Sequence, residues 1–292
     1  MKPKVIAIVG PTASGKSALG LFLAQKLGGE IVCADSRQIY KGMEVISRAP
    51  NTQELRTVPH HLVSFQNPAK KFSAGEYKKM GTEACSSILQ NNKIPIVVGG
   101  TGFYADSLLR GLTLPEVAPN KKLRASLAKK TPAQLLAILK KIDPKSAERV
   151  DPKNIVRLVR AIEVAKAVGP IPTLSQNSPY ETLWLGILPS QQKHARSIAK
   201  GVETRLKAGM VAEARRLRAK LSKKRFLELG FEFNLLAQFL DKKITKQELI
   251  GLLVRGEEKY AARQMRWFKR NPDIRWVKNK TEVLRLAKEF LR

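Results

Sequence analysis

Sulfur is scarce in this chain. Its 292 residues include two cysteines, Cys33 and Cys85, and no C-x-x-C pair, so neither a disulfide framework nor a cysteine zinc site is available. Both thiols fall in apolar patterns and read as buried. Histidine is almost as rare, with His60, His61 and His194. Adjacent histidines point in different directions in most backbones. That disfavours a shared metal at His60-His61 and leaves a loop contact or a structural hydrogen bond; His194 reads as a surface residue. No long apolar run occurs, and the N-terminus leads straight into a core strand rather than a signal peptide. The expectation is a soluble protein of the reducing cytoplasm, with no membrane partner. Internal repeats and low-complexity tracts are also missing. The largest shortage is of negative charge: 24 Asp and Glu stand against 54 Lys and Arg, a net +30. Solubility needs far less. A generally basic proteome would give such a balance, but the first candidate is a polyanionic partner, above all nucleic acid.

What is present begins at the N-terminus. Gly10-Pro11-Thr12-Ala13-Ser14-Gly15-Lys16-Ser17 fits the phosphate-loop pattern G-x-x-x-x-G-K-[ST], and its context fits too. Residues 5–9 are an apolar strand pattern, and a helical pattern starts at Ala18. The chemistry requires that order: glycines let backbone N–H groups wrap a phosphate, and the helix N-terminus adds positive potential. Lys16 supplies a point charge to terminal phosphate oxygens, and Ser17 is placed to hold Mg²⁺. The loop announces a polyphosphate or diphosphate without saying which.

Apolar residues make up 43%, enough for a real core. Further strands are expected at 30–34 and 94–98, and a capping box at Ser73-Ala74-Gly75-Glu76 opens a helix toward Gln90. Alternating strands and helices predict an α/β fold: a P-loop NTPase-like parallel sheet with helices on both faces. After Gly111 the chain turns basic and helical, with another capping box at Thr131-Pro132-Ala133-Gln134. Pro170, Pro172 and Pro179 mark a linker, and 183–188 reads as a strand returning to the sheet. The expected organisation is a discontinuous core, 1–111 and 183–292, interrupted by a mostly helical basic insertion, 112–182. Residues 196–221 read as basic amphipathic helix, Thr245 caps another helix, and 274–277 is a short strand.

If the strands are parallel, the phosphate loop, Asp35 and the Gly99-Gly100-Thr101 turn share one rim of the sheet, where such folds bind ligands. Asp35-Ser36 then suits a general base, a Mg²⁺ ligand or a cap for the next turn. The third strand ends in Gly-Gly-Thr, which offers N–H groups and a hydroxyl rather than the acid of an NTPase. Near the C-terminus, residues 263–270 interleave cations with aromatics. The segment serves either phosphate contact and base stacking or simple packing of Trp267 and Phe268 on the core.

Several of these blocks together resemble one family, the tRNA dimethylallyltransferases. They are 10–17, the Ala-Asp-Ser-Arg-Gln-Ile-Tyr-Lys-Gly-Met run at 34–43, Pro-His-His-Leu at 59–62 and Val-Gly-Gly-Thr-Gly-Phe-Tyr at 98–104. Arg-Leu-Val-Arg-Ala-Ile-Glu-Val at 157–164 and Ala-Arg-Gln-Met-Arg-Trp-Phe at 262–268 follow, in the family's order. The resemblance implies transfer of a dimethylallyl group from its diphosphate to N6 of an adenosine beside the anticodon of tRNA. It implies catalytic roles for Lys16, Asp35 and Thr101, and a diphosphate held by Gly10, Pro11, Thr12, Ala13, Ser14, Gly15, Lys16 and Ser17. Mg²⁺ is the implied cofactor, with Ser17 its indirect ligand. Contacts to tRNA are implied for Asp35, Ser36, Arg37, Gln38, Thr101 and Arg124, for Val156, Arg157, Leu158, Val159 and Arg160, and for Arg263, Gln264, Arg266 and Trp267. Nothing demands more than a monomer.

The departures lie mostly in the C-terminal half. Ile46-Ser47-Arg48-Ala49-Pro50 replaces a Gly-Thr-Ala-Lys-Pro run, Gly201 stands where the family has an arginine, and 227–231 differs from the usual Gln-Ala-Ile-Gly-Tyr. Glu257-Glu258 replaces Thr-Arg, and Ala262 replaces a lysine. Two other readings share the same loop: a tRNA-binding relative without catalysis, and a small-metabolite kinase.

Overall fold

A computed structural model describes residues 1–171 and 177–292; Pro172 of the expected linker lies outside the described residues. The chain divides into two compact units, one built from Met1–Arg110 with Ser178–Arg292 and one from Gly111–Asn177.

The first unit carries six strands: β1 (Lys4–Val9), β2 (Glu30–Cys33), β3 (His60–His61), β4 (Pro95–Gly99), β5 (Glu181–Ile187) and β6 (Arg275–Val277). They form one sheet in the order β3-β2-β4-β1-β5-β6, and every neighbouring pair is parallel. The α/β architecture expected from the alternation is therefore the one observed. Of the two readings of His60-His61, the structural hydrogen bond holds and the loop does not: they pair with Ile31 and Val32 as an edge strand. His60 Nδ1 lies 2.7 Å from the Val58 carbonyl and His61 Nε2 lies 2.7 Å from Glu30, so both serve structure.

The two-residue side-chain period of β1 divides the core. Val5, Ala7 and Val9 pack with Tyr77, Cys85, Leu108 and Phe268 from helices on one face. Ile6 and Ile8 pack with Leu19, Leu23, Val283 and Ala287 from helices Lys16–Leu27 and Lys280–Leu291 on the other. A third cluster, including Ile39, Met43, Val202, Phe233 and Leu253, joins the C-terminal helices to the segment after β2. The expected 196–221 helix is two helices, Gln191–Lys207 and Met210–Lys220, parted at Gly209. Capping boxes form at Ser73, Thr131 and Thr245. The first unit breaks off after Arg110 and resumes at Ser178, whose Oγ donates to the Leu109 carbonyl at 2.7 Å.

The second unit is helical, with Lys121–Leu127, Pro132–Ile142, Pro144–Arg149 and Ile155–Val168 around Leu127, Leu135, Leu139, Leu158 and Ile162. Glu163 is its buried polar centre. Its carboxylate accepts from Arg124 Nη2 and Arg160 Nη1, each at 2.7 Å, and from the Asn120 N–H at 2.6 Å. Burial pushes its pKa up, but these donors overcome that and hold it down at about 2. Among the described residues, no helix is long and apolar enough to cross a membrane.

Candidate active site

Parallel strands put β1, β2 and β4 in one sense, so the segments after them lie on one rim. The phosphate loop follows β1 and leads into helix Lys16–Leu27 through Gly15, at φ 92°, a left-handed conformation that glycine adopts without the Cβ penalty. Within the loop the Ser14 N–H donates to the Pro11 carbonyl at 3.3 Å. The buried Ser14 Oγ has no hydrogen-bond partner among the described residues. Lys16 is buried, and its Nζ donates to the Pro11 carbonyl at 3.2 Å. Burial, opposed by Asp35 and reinforced by Arg48, lowers its pKa. A desolvated ammonium and an unpaired hydroxyl in such a loop suit an anionic ligand that would satisfy both.

Asp35 and Thr101 are stitched together. The Asp35 Oδ1 accepts the Arg37 N–H at 2.9 Å, so the carboxylate does cap the turn that follows it. Thr101 Oγ1 accepts the Ser36 N–H at 3.0 Å and contacts Ser36 Oγ at 3.2 Å, while its own N–H donates to the Ala34 carbonyl at 3.0 Å. Tyr260 hydrogen-bonds to Thr101, and burial pushes its phenol up to about 12. Asp35 lines two clefts. One, of about 350 Å³, also includes Lys16, Ser17 and Gln38; the other, of about 460 Å³, includes Thr12, Arg48, Arg205 and Tyr260.

The remaining expected contacts divide. Arg37 is half-buried with its guanidinium against Gly230, and Arg263 and Arg266 are exposed. Trp267 is half-buried and donates Nε1–H to Asp106 at 2.7 Å, under the Arg270 guanidinium, whereas Phe268 packs in the core. Gln264, read as a tRNA contact, is instead buried, and both ends of its amide are bound by the protein. Its Oε1 accepts the Thr12 N–H and its Nε2 donates to the Gly100 carbonyl, each at 2.8 Å. Gln38, read likewise, donates to the Arg48 carbonyl at 2.8 Å.

In the second unit Val156 and Arg157 are exposed, but Leu158 is fully buried. The tRNA contact expected of Leu158 is therefore withdrawn for its side chain. At 100° per residue Leu158 shares the inward face with Ile162 and Ala165, and Val159 packs partly beside it. Arg124 and Arg160 are half-exposed while bound to Glu163.

Four participants were not legible as site residues. His194, expected at the surface, is half-buried with Nε2 2.8 Å from the Thr12 carbonyl. Arg48 donates to Thr12 Oγ1 at 3.4 Å and to Glu257 at 2.5 Å. Arg205 is buried, also pairs with Glu257, and donates to the Ile46 carbonyl at 2.9 Å. Its burial, together with repulsion from Arg48, lowers its pKa to about 9. The only sequence signal was that both Arg48 and Glu257 occupy departures from the family pattern.

A loop that desolvates a lysine beside a rim carboxylate, on an all-parallel sheet, defines the α/β phosphate-loop class of fold. The family model described as IPP transferase matches residues 38–271. The tRNA dimethylallyltransferase of Roseiflexus castenholzii is 39% identical, over 92% of this chain and 91% of its own. The tRNA dimethylallyltransferase 1 of Trichlorobacter lovleyi is also 39% identical, over 95% and 94%. Among solved structures, the full-length tRNA isopentenylpyrophosphate transferase of Bacillus halodurans superposes with a TM-score of 0.75 at 28% identity, covering 99% of this chain and 97% of its own. A eukaryotic dimethylallyltransferase acting on tRNA gives 0.78 at 25% identity, over 91% and 70%. The chain belongs to the IPP transferase family, among the tRNA dimethylallyltransferases.

Proposed function

We propose that the protein moves a dimethylallyl group from dimethylallyl diphosphate to N6 of the adenosine adjacent to the anticodon of tRNA. The observation that carries this is the position of Asp35, which lines both the cleft with Lys16 and Ser17 and the cleft with Thr12 and Tyr260. The loop 10–17 binds the diphosphate, with the Lys16 ammonium and the Ser14 hydroxyl as its unsatisfied partners. The adenine leaves the anticodon stack to reach the donor. The Asp35 oxygen not held by Arg37 accepts an N6 proton, and Thr101 keeps that carboxylate in register through Ser36. The C1–O bond of the donor breaks with its electron pair going to the diphosphate. The N6 lone pair forms the new N–C1 bond, and the displaced proton passes to Asp35.

Mg²⁺ fits this site as a companion of the substrate. Among the described residues no cluster of three His, Cys, Asp or Glu side chains stands ready for a metal, whereas Ser17 and Asp35 line one cleft. One or two protein oxygens plus phosphates suit Mg²⁺, so Ser17 would hold it, leaving Asp35 free as the base, and its chemistry there would be neutralisation of diphosphate charge. The exposed cations of 111–177, Arg157 first, with Arg263 and Arg266, supply phosphate-backbone affinity. The reading takes the protein as a monomer, and its two free, buried cysteines suit a reducing cytoplasm.

The test mixes protein, Mg²⁺, labelled dimethylallyl diphosphate and unmodified tRNA, then digests the RNA for mass spectrometry. Prenylated adenosine is expected. Asp35→Ala should lower turnover by about 10²–10⁴-fold with tRNA affinity nearly unchanged; near-normal turnover would remove Asp35 from the chemistry. Bound tRNA without product would favour a relative that kept the fold alone.

A further inference from the structure

We propose that Arg48 is a second cationic arm of the donor site, gripping the diphosphate at the mouth of the phosphate loop from a seat that Gly201 and Glu257 shape for it. This rests on the transferase reading above and adds to it a binding residue outside the loop.

The seat is built from several directions. Arg48 ends the short helix Glu44–Ser47 at φ 57°, a left-handed conformation unusual for a side chain with a Cβ. The turn is clamped at both ends. Glu213 accepts the Val45 and Ile46 N–H groups at 3.0 and 2.8 Å, and Gln38 binds the Arg48 carbonyl. The guanidinium then lies against helix Gln191–Lys207 at Gly201, where a Cβ would stand 2.7 Å from Nη2 and 3.0 Å from Cζ. Any other residue there would push the arginine away.

The far end of the side chain is what points to a ligand. Nη1 reaches Thr12 inside the phosphate loop, and Nη2 is held by Glu257. Glu257 also holds the buried Arg205, so one carboxylate balances two guanidinium groups. Glu232 lines the same cleft with one buried carboxylate oxygen unpartnered, and Asp35 and Arg37 complete its charged lining. Lys16 and Arg48 stand close enough to repel one another. Glu257, Glu232 and Asp35 attract Arg48 while Lys16 repels it, so the guanidinium is held at the loop in a charge-balanced cleft, on a strained turn, with donors to spare for an anion. A guanidinium offers five donors in a planar fork, and two of Arg48's are engaged by Thr12 and Glu257. The rest match a diphosphate's oxygens.

The probe is inorganic pyrophosphate with Mg²⁺, titrated into the whole protein by calorimetry, with tRNA affinity measured in parallel. Arg48→Gln shortens the side chain and removes the charge but keeps an amide donor, while Glu257 keeps Arg205. It should weaken pyrophosphate about ten- to a hundred-fold, raise the donor KM, and leave tRNA affinity unchanged. Gly201→Ala retains Arg48 but displaces its guanidinium, and should weaken pyrophosphate in the same direction. Wild-type binding that both variants preserve would overturn the role of Arg48 alone. A wild-type protein that binds neither pyrophosphate nor the donor would overturn this role and the transferase reading together.

Discussion

Replacing Gln264 by alanine tests whether the phosphate loop owes its shape to helix Lys246–Phe268. The amide bridges two backbone groups from different strand ends, the Thr12 N–H after β1 and the Gly100 carbonyl after β4, both at 2.8 Å. Its orientation is unambiguous because one partner is a donor and the other an acceptor. A buried polar group stripped of its partner costs about 1–3 kcal/mol. Thr12 is half-buried, so water recovers part of its share, and the combined loss should be about 2–4 kcal/mol. For a unit of this size that lowers the melting temperature by roughly 5–15 °C. Trp184, Trp267 and Trp276 are the chain's three tryptophans and all belong to the sheet unit, so their fluorescence follows its unfolding alone. Gln264→Glu keeps the acceptor for Thr12 but sets a carboxylate against the Gly100 carbonyl. Its deficit should shrink as pH falls and protonation restores a donor. Pyrophosphate binding should weaken in both variants while tRNA affinity holds. A stability loss below about 0.5 kcal/mol, or weaker tRNA binding with pyrophosphate binding intact, would return Gln264 to the RNA surface and refute the reasoning.

Other expectations follow from the second unit. Arg157 is exposed, and only its backbone is engaged in capping, by Asn154; Arg157→Ala should weaken tRNA binding and lower the slope of log affinity against log salt by about 1, and an unchanged slope would remove it from the phosphate contacts. Glu163 has its pKa depressed to about 2, so its contribution is fully present above the unfolded carboxylate value and disappears as pH falls through about 2. Glu163→Gln should cost the helical unit about 1–3 kcal/mol at neutral pH, a range that allows for two arginines each more than a third exposed. It should also flatten the acid dependence, read by hydrogen exchange at Leu158 and Ile162; an unaltered acid profile would count against the assignment.

The sheet and its ligand rim were legible because they obey short-range rules. The alternation of Val5, Ala7 and Val9 with Ile6 and Ile8 is a period of two, and the loop at 10–17 has a fixed spacing that backbone chemistry requires. Capping boxes at Ser73, Thr131 and Thr245 could be read from four residues each. What was illegible depends on partners far along the chain. Gln264 looks like any polar residue in a cationic helix until Thr12 and Gly100 are found on either side of it. Leu158 sits within a run that matches RNA-contacting positions, yet helical phase turns it to the core. Arg48, Gly201 and Glu257 each looked like a separate departure, and Arg205 carried no signal at all. In space they touch one another, a fact that no local pattern encodes.

The hydrogen bond between Ser178 and Leu109 marks a narrow doorway. The backbone leaves the sheet unit and comes back at almost the same point, so the excursion of 111–177 leaves the sheet's closure undisturbed. Closing a loop whose ends already meet adds little entropy with length. A change of length or charge beyond the doorway should therefore leave the phosphate loop, Asp35 and Thr101 in place. The doorway thus separates two independent cores, the sheet unit that carries the phosphate loop and a helical unit closed around Leu135, Leu139 and Leu158.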